Sequence, residues 1–299
     1  MNLKENLEKH TFPMDADILP PSDDRIFKVL LTHPNAKQVL IDVISTVIEK
    51  PVLDVQIRNN ELPNMDVDEK AERLDVNCTI DTGDQVNVEM QCSQMEEIGF
   101  GFTNFINRYV YYLSDLHSSQ KSKGVEYHDL VRTYQATFCM YNALPDWPDF
   151  VNRFTLRSAN GKQLSDQLNM VIIELGKLDT LLRKPVNNLT EFEKWLLFFR
   201  FAQDPMQRSK INDIIKEKEE INMAAALLQE ISQDEHERAR ALSRKKFETD
   251  LYSNLHTAER RGEMRGALLE RDKWHGVVAE KDAENERLRS RIVELEAKN

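Results

Sequence analysis

The stretch that decides the fold is residues 74–91, which read LDVNCTIDTGDQVNVEMQ. Apolar side chains alternate with polar ones on both sides of a glycine. The apolar positions are Leu74, Val76, Cys78 and Ile80 before the glycine, and Val86, Val88 and Met90 after it. Alternation with a period of two on both sides of a glycine turn is typical of a β-hairpin with one apolar and one polar face.

The register of this hairpin follows from keeping the apolar side chains opposite one another, because a slip of one residue would turn them to the other face. We predict a three-residue loop at 82–84, in which Gly83 supplies the positive φ that the turn needs. This register places Asp75 opposite Gln91. Asp75 and Glu89 are then diagonal neighbours on the polar face, with their Cβ atoms about 7 Å apart or less.

Two carboxylates at that distance can share one divalent cation. Mg²⁺ prefers oxygen ligands and takes one or two carboxylates, with water in its other positions. A cation there could hold a phosphate oxygen and lower the pKa of a water for attack on phosphorus. Gln91 points from the same face as Glu89 and could position that water. The alternative is that these polar side chains simply face solvent, as is common in antiparallel hairpins.

Helices and further strands are predicted on both sides of the hairpin. Ser22 is expected to cap a first helix that carries Asp24 in its first turn. A second helix is predicted at 36–49 and a strand at 52–58. After the hairpin we predict a helix at 95–119, strands at 130–141 and 169–175, and a helix capped by Thr190. Helices before and after mixed strands indicate an α/β core.

Composition excludes several classes of protein. The chain has 299 residues, a formal net charge of −11, nine glycines and three cysteines. The glycines form neither a complete dinucleotide fingerprint nor a phosphate loop, so no nucleotide cofactor is expected. The cysteines form no CxxC pair, which disfavours zinc ribbons and suits a reducing compartment. The longest apolar run is far shorter than the roughly 20 residues of a membrane span, and no secretory signal is visible. We expect a cytoplasmic protein without a membrane partner.

The character of the chain changes after about residue 205, where strand signals vanish and charged residues become denser. From Trp274, alternating steps of four and three residues lead to Val278, Lys281, Asn285, Leu288, Ile292 and Leu295. This heptad spacing predicts a coiled coil at 271–299, with Asn285 at a core position that can specify register and dimerisation. The alternative is a single amphipathic helix folded back on the body.

Several motifs resemble the recombination-promoting nuclease (Rpn) family, which is transposase-like and belongs to the PD-(D/E)xK nuclease superfamily. In order along residues 18–210 they are DRIFK (24–28), RLDV (73–76), VEMQ (88–91), Arg108 with Tyr112, QKSKGVEY (120–127), IELGK (173–177) and EKW (193–195). Each motif is weak by itself, but their order along the chain is fairly specific.

The resemblance implies a restriction-endonuclease-like mixed β-sheet flanked by helices, acting as a metal-dependent DNA endonuclease. It makes Asp75 and Glu89 the ligands of Mg²⁺ or Mn²⁺, and it adds Asp24 as an acidic residue that helps to complete the site. Gln91 stands where the superfamily usually has lysine. An amide can orient a water but carries no positive charge.

Three further residues are candidate contacts to DNA phosphates: Lys28, Arg108 and Tyr112. Arg108 and Tyr112 are spaced i, i+4 and so project together from one helix, and both side chains commonly contact phosphates. Pairing of Arg108 with a carboxylate near the site is an equal alternative, whereas for Lys28 the alternative of a solvated surface lysine is favoured.

We therefore expect a polar segment at 1–17, a nuclease-like domain at 18–210 and a helical tail at 211–299 that forms a homodimer. The expected activity is hydrolysis of DNA phosphodiester bonds, linked by the resemblance to recombination or mobile elements. The alternative from another class is a catalytically inactive scaffold that keeps the fold and dimerises through its tail. A transposase that moves defined DNA ends ranks last, since no separate end-recognition module is visible.

Overall fold

The computed structural model of the chain describes residues 10–58, 76–92, 101–121 and 124–296. Asp75, the first part of the helix expected from residue 95, and the side chain of Phe102 lie outside the described residues. The described part of the N-terminal segment is anchored to the body. Phe12 is buried, and its backbone N–H and C=O both bond to the side chain of Asn212.

The described strands form one mixed sheet in the order β1-β2-β3-β4-β6-β5. Neighbouring strands pair antiparallel except for β3 with β4 and β4 with β6, which pair parallel. The strands are β1 (Val55–Ile57), β2 (Val76–Ile80), β3 (Gln85–Gln91), β4 (Thr133–Cys139), β5 (Val151–Arg157) and β6 (Gln163–Glu174).

Helices cover both faces of this sheet, and a helical region ends the chain. They are α1 (Asp24–Leu31), α2 (Lys37–Ile48), α3 (Gly101–Ser118), α4 (Glu191–Phe201), α5 (Arg208–Glu217), α6 (Glu219–Gln233) and α7 (Glu235–Glu296). A mixed sheet with flanking helices and a long C-terminal helix confirms the restriction-endonuclease-like α/β fold that the sequence predicts.

The two faces of the sheet differ in chemistry. On one face, Val86, Val88 and Phe138 belong to the main hydrophobic core together with α1, α2, α4, α5 and α6. On the other face, α3 packs Phe105 and Tyr109 against Met170 and Ile172 of β6. In strands whose sequence alternates strictly, the apolar side chains therefore lie on the face of the main core. Their polar side chains lie on the other face, beneath α3.

The predicted hairpin forms, but the register that we predicted for it is wrong. Thr79 pairs with Gln85 and Val76 pairs with Val88, so the loop is 81–83 rather than 82–84. Gly83 has φ +87° there, as expected. The pairing that sets Asp75 opposite Gln91 is thus not the register of this hairpin.

Contacts of the loop explain the shift. The Asp81 carboxylate accepts from the backbone N–H of Leu53 at 2.8 Å, and the Asp84 carboxylate accepts from the N–H of Arg132 at 3.2 Å. These tertiary contacts fix both ends of the loop to neighbouring segments. Both registers keep the apolar face intact, so the alternation in the sequence cannot distinguish them.

Two local predictions also need correction. The N-cap of α1 is Asp23 rather than Ser22, and its side chain accepts from the N–H groups of Arg25 and Ile26. Strand β5 was not predicted, because it follows two prolines and its apolar residues alternate only partly. By contrast, Thr190 caps α4 in a reciprocal capping box with Glu193, as expected.

The compact part of the chain extends beyond residue 210. Ile211, Ile214 and Ile215 of α5 and Ala224 and Leu228 of α6 are fully buried in the main core. The division into two compact units falls after Ala239. The second unit, from Arg240 onward, consists of the rest of α7 in its described part, and the large apolar side chains that the structure describes there are exposed. Among the described residues, no helix is both long and apolar enough to cross a membrane.

Candidate active site

Glu89 lies in the middle of the sheet, on the polar face beneath α3. It occupies β3, where odd-numbered residues face α3 and even-numbered residues enter the main core. Its side chain is buried, with the residue only 6% exposed. A carboxylate in such a place needs polar partners or a cation, because burying a charge without compensation is costly. Glu89, which the sequence predicts as a metal ligand, is therefore not a solvated surface acid.

A row of buried polar side chains supports Glu89 from the neighbouring strand. Gln135 of β4 donates from Nε2 to Oε2 of Glu89 at 3.4 Å and accepts at Oε1 from Asn87 Nδ2 at 2.9 Å. Gln135 and Asn87 are both fully buried. This chain of amides restricts the orientation of the Glu89 carboxylate.

Gln91 follows two residues later on the same face and is held from α3. Its Oε1 accepts from Nη2 of Arg108 at 2.8 Å and from the hydroxyl of Tyr109 at 3.2 Å. The Arg108 guanidinium also lies over the Tyr109 ring, 4.9 Å from its centroid. The structure thus brings together Glu89, Gln91 and Arg108, three of the residues that the sequence singled out.

Burial raises the pKa of Tyr109 well above its usual value, and the nearby Glu89 carboxylate raises it further. The phenol therefore stays protonated at any physiological pH and acts as a hydrogen-bond donor.

The other predicted residues occupy different places. Asp24 lies in the first turn of α1, where its Oδ1 accepts from the N–H of Arg25 at 2.6 Å. Lys28 lies one turn later on the same helix. Tyr112 is half-buried and packs edge-on against Tyr109, with the ring centroids 5.9 Å apart. Asp75, the predicted partner of Glu89, is outside the described residues.

Two supporting residues were not predicted, Tyr109 and Gln135. Tyr109 was assigned to the apolar face of its helix, and its hydroxyl gives no sequence signal. Gln135 could have been predicted, because polar and apolar residues alternate in TYQATF at 133–138. Strand β4 pairs parallel with β3, and this pairing puts Gln135 beside Asn87.

Residues of two further motifs have structural roles. Gln120 ties the end of α3 to the start of β4, since its side chain accepts from the N–H of Val131 at 2.9 Å and donates to the Val131 carbonyl at 3.1 Å. Glu174 is fully buried and accepts from Lys177 Nζ at 2.6 Å and from the N–H of Leu144 at 2.8 Å.

The donor chemistry at Glu89 fits a hard divalent cation. Mg²⁺ and Mn²⁺ take carboxylate oxygens, and a buried, oriented carboxylate on a rigid strand is a suitable ligand. Within the described ranges, no group of three or more histidine, cysteine, aspartate or glutamate side chains is placed to hold a metal. Any carboxylate partner of Glu89 from 59–75 falls outside those ranges.

Comparison with protein families gives a match over residues 21–258 to the model described as PD-(D/E)XK nuclease family transposase. The chain belongs to this family. The match covers most of the chain, includes the sheet and helices α1 to α6, and confirms the PD-(D/E)xK assignment made from the motifs. No curated protein and no solved structure matches the chain.

Membership gives the coarse function. A PD-(D/E)XK chain has a nuclease or transposase-like function, nucleases of this family generally use divalent metal ions, and DNA is their expected substrate.

Proposed function

We propose that the protein is a metal-dependent DNA endonuclease in which Asp75 and Glu89 hold Mg²⁺ or Mn²⁺. The observation that carries this proposal is the buried Glu89 carboxylate, oriented by Gln135 on the polar face of the sheet. A buried acid lowers the stability of the fold unless a partner compensates its charge. In a nuclease family, a divalent metal ion is a suitable partner.

Asp75 remains the proposed partner of Glu89 on the strength of the sequence pattern. It directly precedes Val76, the first described residue of β2, and Val76 pairs with Val88, the residue before Glu89. A cation such as Mg²⁺ takes one or two carboxylates, so these two acids suit one divalent ion.

The reaction that this set supports is attack of water on the DNA phosphorus, in line with the leaving 3′-oxygen. The divalent ion supplies electrophilic activation of the phosphodiester and lowers the pKa of the attacking water. Gln91 orients the reacting groups by hydrogen bonding, and Asp24 assists at the site. Gln135 holds the Glu89 carboxylate in place by donating from Nε2 to its Oε2.

Binding of the DNA backbone would involve Lys28, Arg108 and Tyr112. Arg108 lies beside the proposed site because its Nη2 donates to Gln91, and guanidinium groups commonly contact phosphates. We further propose that the protein acts in the cytoplasm and forms a homodimer through a coiled coil at 271–299. Two sites near one duplex would then favour double-strand cuts.

The proposal is tested by cleavage of supercoiled plasmid in Mg²⁺, Mn²⁺, Ca²⁺ or EDTA. The wild type should nick or linearise the plasmid in Mg²⁺ or Mn²⁺ but not in EDTA. Asp75→Asn and Glu89→Gln should each lower the rate at least 100-fold, because each removes one anionic ligand.

Matched controls make the same chemical changes on the surface. Asp179→Asn and Glu219→Gln alter exposed residues and should cleave like the wild type. Equal cleavage by all variants would reveal a contaminating nuclease or a different site. If the folded wild type cleaves the plasmid with none of these metals, the result would contradict the endonuclease function and favour the scaffold.

A further inference from the structure

Gln91 poses a chemical problem at the position where the superfamily usually has lysine. A lysine ammonium can only donate hydrogen bonds and carries a positive charge. A glutamine amide is neutral and can present either its oxygen acceptor or its nitrogen donor. If Gln91 acts at the proposed site, something must fix which end of its amide faces the substrate.

The contacts of Gln91 fix that orientation. Oε1 accepts from the Arg108 guanidinium and from the Tyr109 hydroxyl. Because a guanidinium can only donate, the amide atom that it contacts must be the oxygen. Nε2 sits on the other branch of the planar amide, so it points away from Arg108 and Tyr109.

Tyr109 reinforces this arrangement because it is 2% exposed and packed edge-on against Phe105, with ring centroids 4.8 Å apart. Its ring is thereby held in one position. Its hydroxyl donates to Gln91 Oε1 at 3.2 Å.

We propose that Arg108 and Tyr109 are positioning residues that lock the amide of Gln91, so that Nε2 faces the scissile phosphate as a donor. This inference rests on the proposed nuclease function. The locked amide takes over the donor role of the usual lysine. The Arg108 guanidinium supplies, from behind the amide, the positive charge that glutamine lacks. The lysine of the motif is thus replaced by a unit of three residues from β3 and α3.

Charge and polarity support this division of roles. Donation from Arg108 and Tyr109 to Oε1 draws electron density from the amide and makes its N–H groups stronger donors. A donor that is fixed before the reaction stabilises charge developing on phosphate oxygen without reorganisation. A freely rotating amide would lose that advantage.

The test is a double-mutant cycle between positions 91 and 109, measured as single-turnover plasmid cleavage in Mn²⁺. Tyr109→Phe removes only the hydroxyl and should lower the single-turnover rate constant at saturation about tenfold, with little change in the half-saturating protein concentration. Gln91→Met removes the donor and should lower that rate constant by about 100-fold or more. The double variant should be no slower than Gln91→Met, because Tyr109 acts through the Gln91 amide.

A lysine at position 91 provides the rescue arm. In Gln91→Lys there is no amide to orient, so adding Tyr109→Phe should leave the cleavage rate unchanged. Tyr111→Phe, the same substitution at an exposed position of α3, is the control and should behave like the wild type. The side-chain NH₂ signal of Gln91 in NMR, identified by its loss in Gln91→Met, should shift in Tyr109→Phe but not in Tyr111→Phe.

The outcomes separate this inference from the proposed function. An active wild type with full activity in folded Tyr109→Phe, or with additive losses in the double variant, would overturn the positioning role and leave the nuclease intact. A Tyr109→Phe defect that persists in Gln91→Lys would also overturn it. A wild type that cleaves no DNA would remove the proposed function, and this inference with it.

Discussion

Buried polar side chains distinguish this site at the scale of single residues. The face of the sheet beneath α3 buries Asn87, Glu89, Gln135 and Thr137 in one connected patch. Connected amides and hydroxyls can satisfy one another while restricting their orientations. The patch therefore holds a carboxylate in a defined position inside the protein, which a solvated hairpin could not do.

The amide of Gln135 connects three members of this patch, which leads to a stability prediction. Gln135→Leu would leave the buried Asn87 Nδ2 without its acceptor and deprive Glu89 of a donor. We expect the free energy of unfolding to fall by about 1–3 kcal/mol, measured by urea denaturation. Gln163→Leu, at an exposed position of β6, should change it by less than about 0.5 kcal/mol. A stable Gln135→Leu protein would show that the patch is not held by this amide.

At this scale the sequence predicts candidate site residues but not the side chains that hold them. Glu89 and Gln91 were predicted from strand alternation, because residues two apart share a face. Tyr109 was predicted only as a core residue. The packing of α3 over Gln91 is what lets the Tyr109 hydroxyl donate to Gln91. Contacts between a helix and a strand that are distant in sequence depend on the tertiary fold, which alternation does not encode.

At the scale of elements, the hairpin shows both the power and the limit of periodicity. Alternation predicted the two strands, the odd loop and the positive φ of Gly83. It could not choose between two registers that keep the same face buried. The choice is made by Asp81 and Asp84, whose side chains bond to the backbone of segments far away in sequence.

The N-terminus of α4 gives a prediction about pH. Although burial raises the pKa of Glu193, hydrogen bonds from Lys184 Nζ at 2.7 Å and from the N–H of Thr190 at 2.8 Å lower it overall. A carboxyl whose folded-state pKa is depressed stabilises the fold above its unfolded pKa of about 4.5 and loses that contribution as pH falls through the folded value. The capping box should therefore weaken in acid.

This effect is isolated by comparing Glu193→Gln with the wild type in urea denaturation at pH 7 and pH 4. The wild type should be more stable at pH 7, and the difference between the two proteins should shrink at pH 4. Glu219→Gln, an exposed acid at the start of α6, serves as the control. A difference that grows in acid would contradict the direction of the Glu193 pKa.

At the scale of the whole molecule, the chain combines a nuclease-family body with a helical C-terminal unit. The sequence predicted the helical character of residues beyond 210 from the loss of strand signals. It gave no sign that isoleucines and alanines of the short amphipathic helices α5 and α6 are buried in the main core. A change in composition marks the end of the sheet more reliably than the end of a domain.

The C-terminal unit leads to a prediction about assembly. Trp274, Val278, Leu288, Ile292 and Leu295 are all more than half exposed, although they follow the heptad spacing of a coiled coil. A second copy of the chain would cover this stripe. The wild type should have about twice the mass of the 34.9 kDa chain in light scattering at micromolar concentration.

Leu288→Glu should reduce that mass to the value of one chain, because it places a charge in the seam. Glu284→Gln, outside the heptad core positions, is the control and should stay dimeric. A wild type that already has the mass of one chain, or a Leu288→Glu protein with unchanged mass, would contradict the coiled-coil dimer.

Mn²⁺ binding tests, without any need for turnover, the proposal that Asp75 and Glu89 together form a divalent metal site. We would titrate Mn²⁺ into the wild type, Asp75→Asn, Glu89→Gln and the surface control Glu219→Gln, and follow free Mn²⁺ by electron paramagnetic resonance. We expect one Mn²⁺ per chain in the wild type and the control, with affinity reduced at least tenfold in each site variant. Equal binding by all four folded proteins would contradict it.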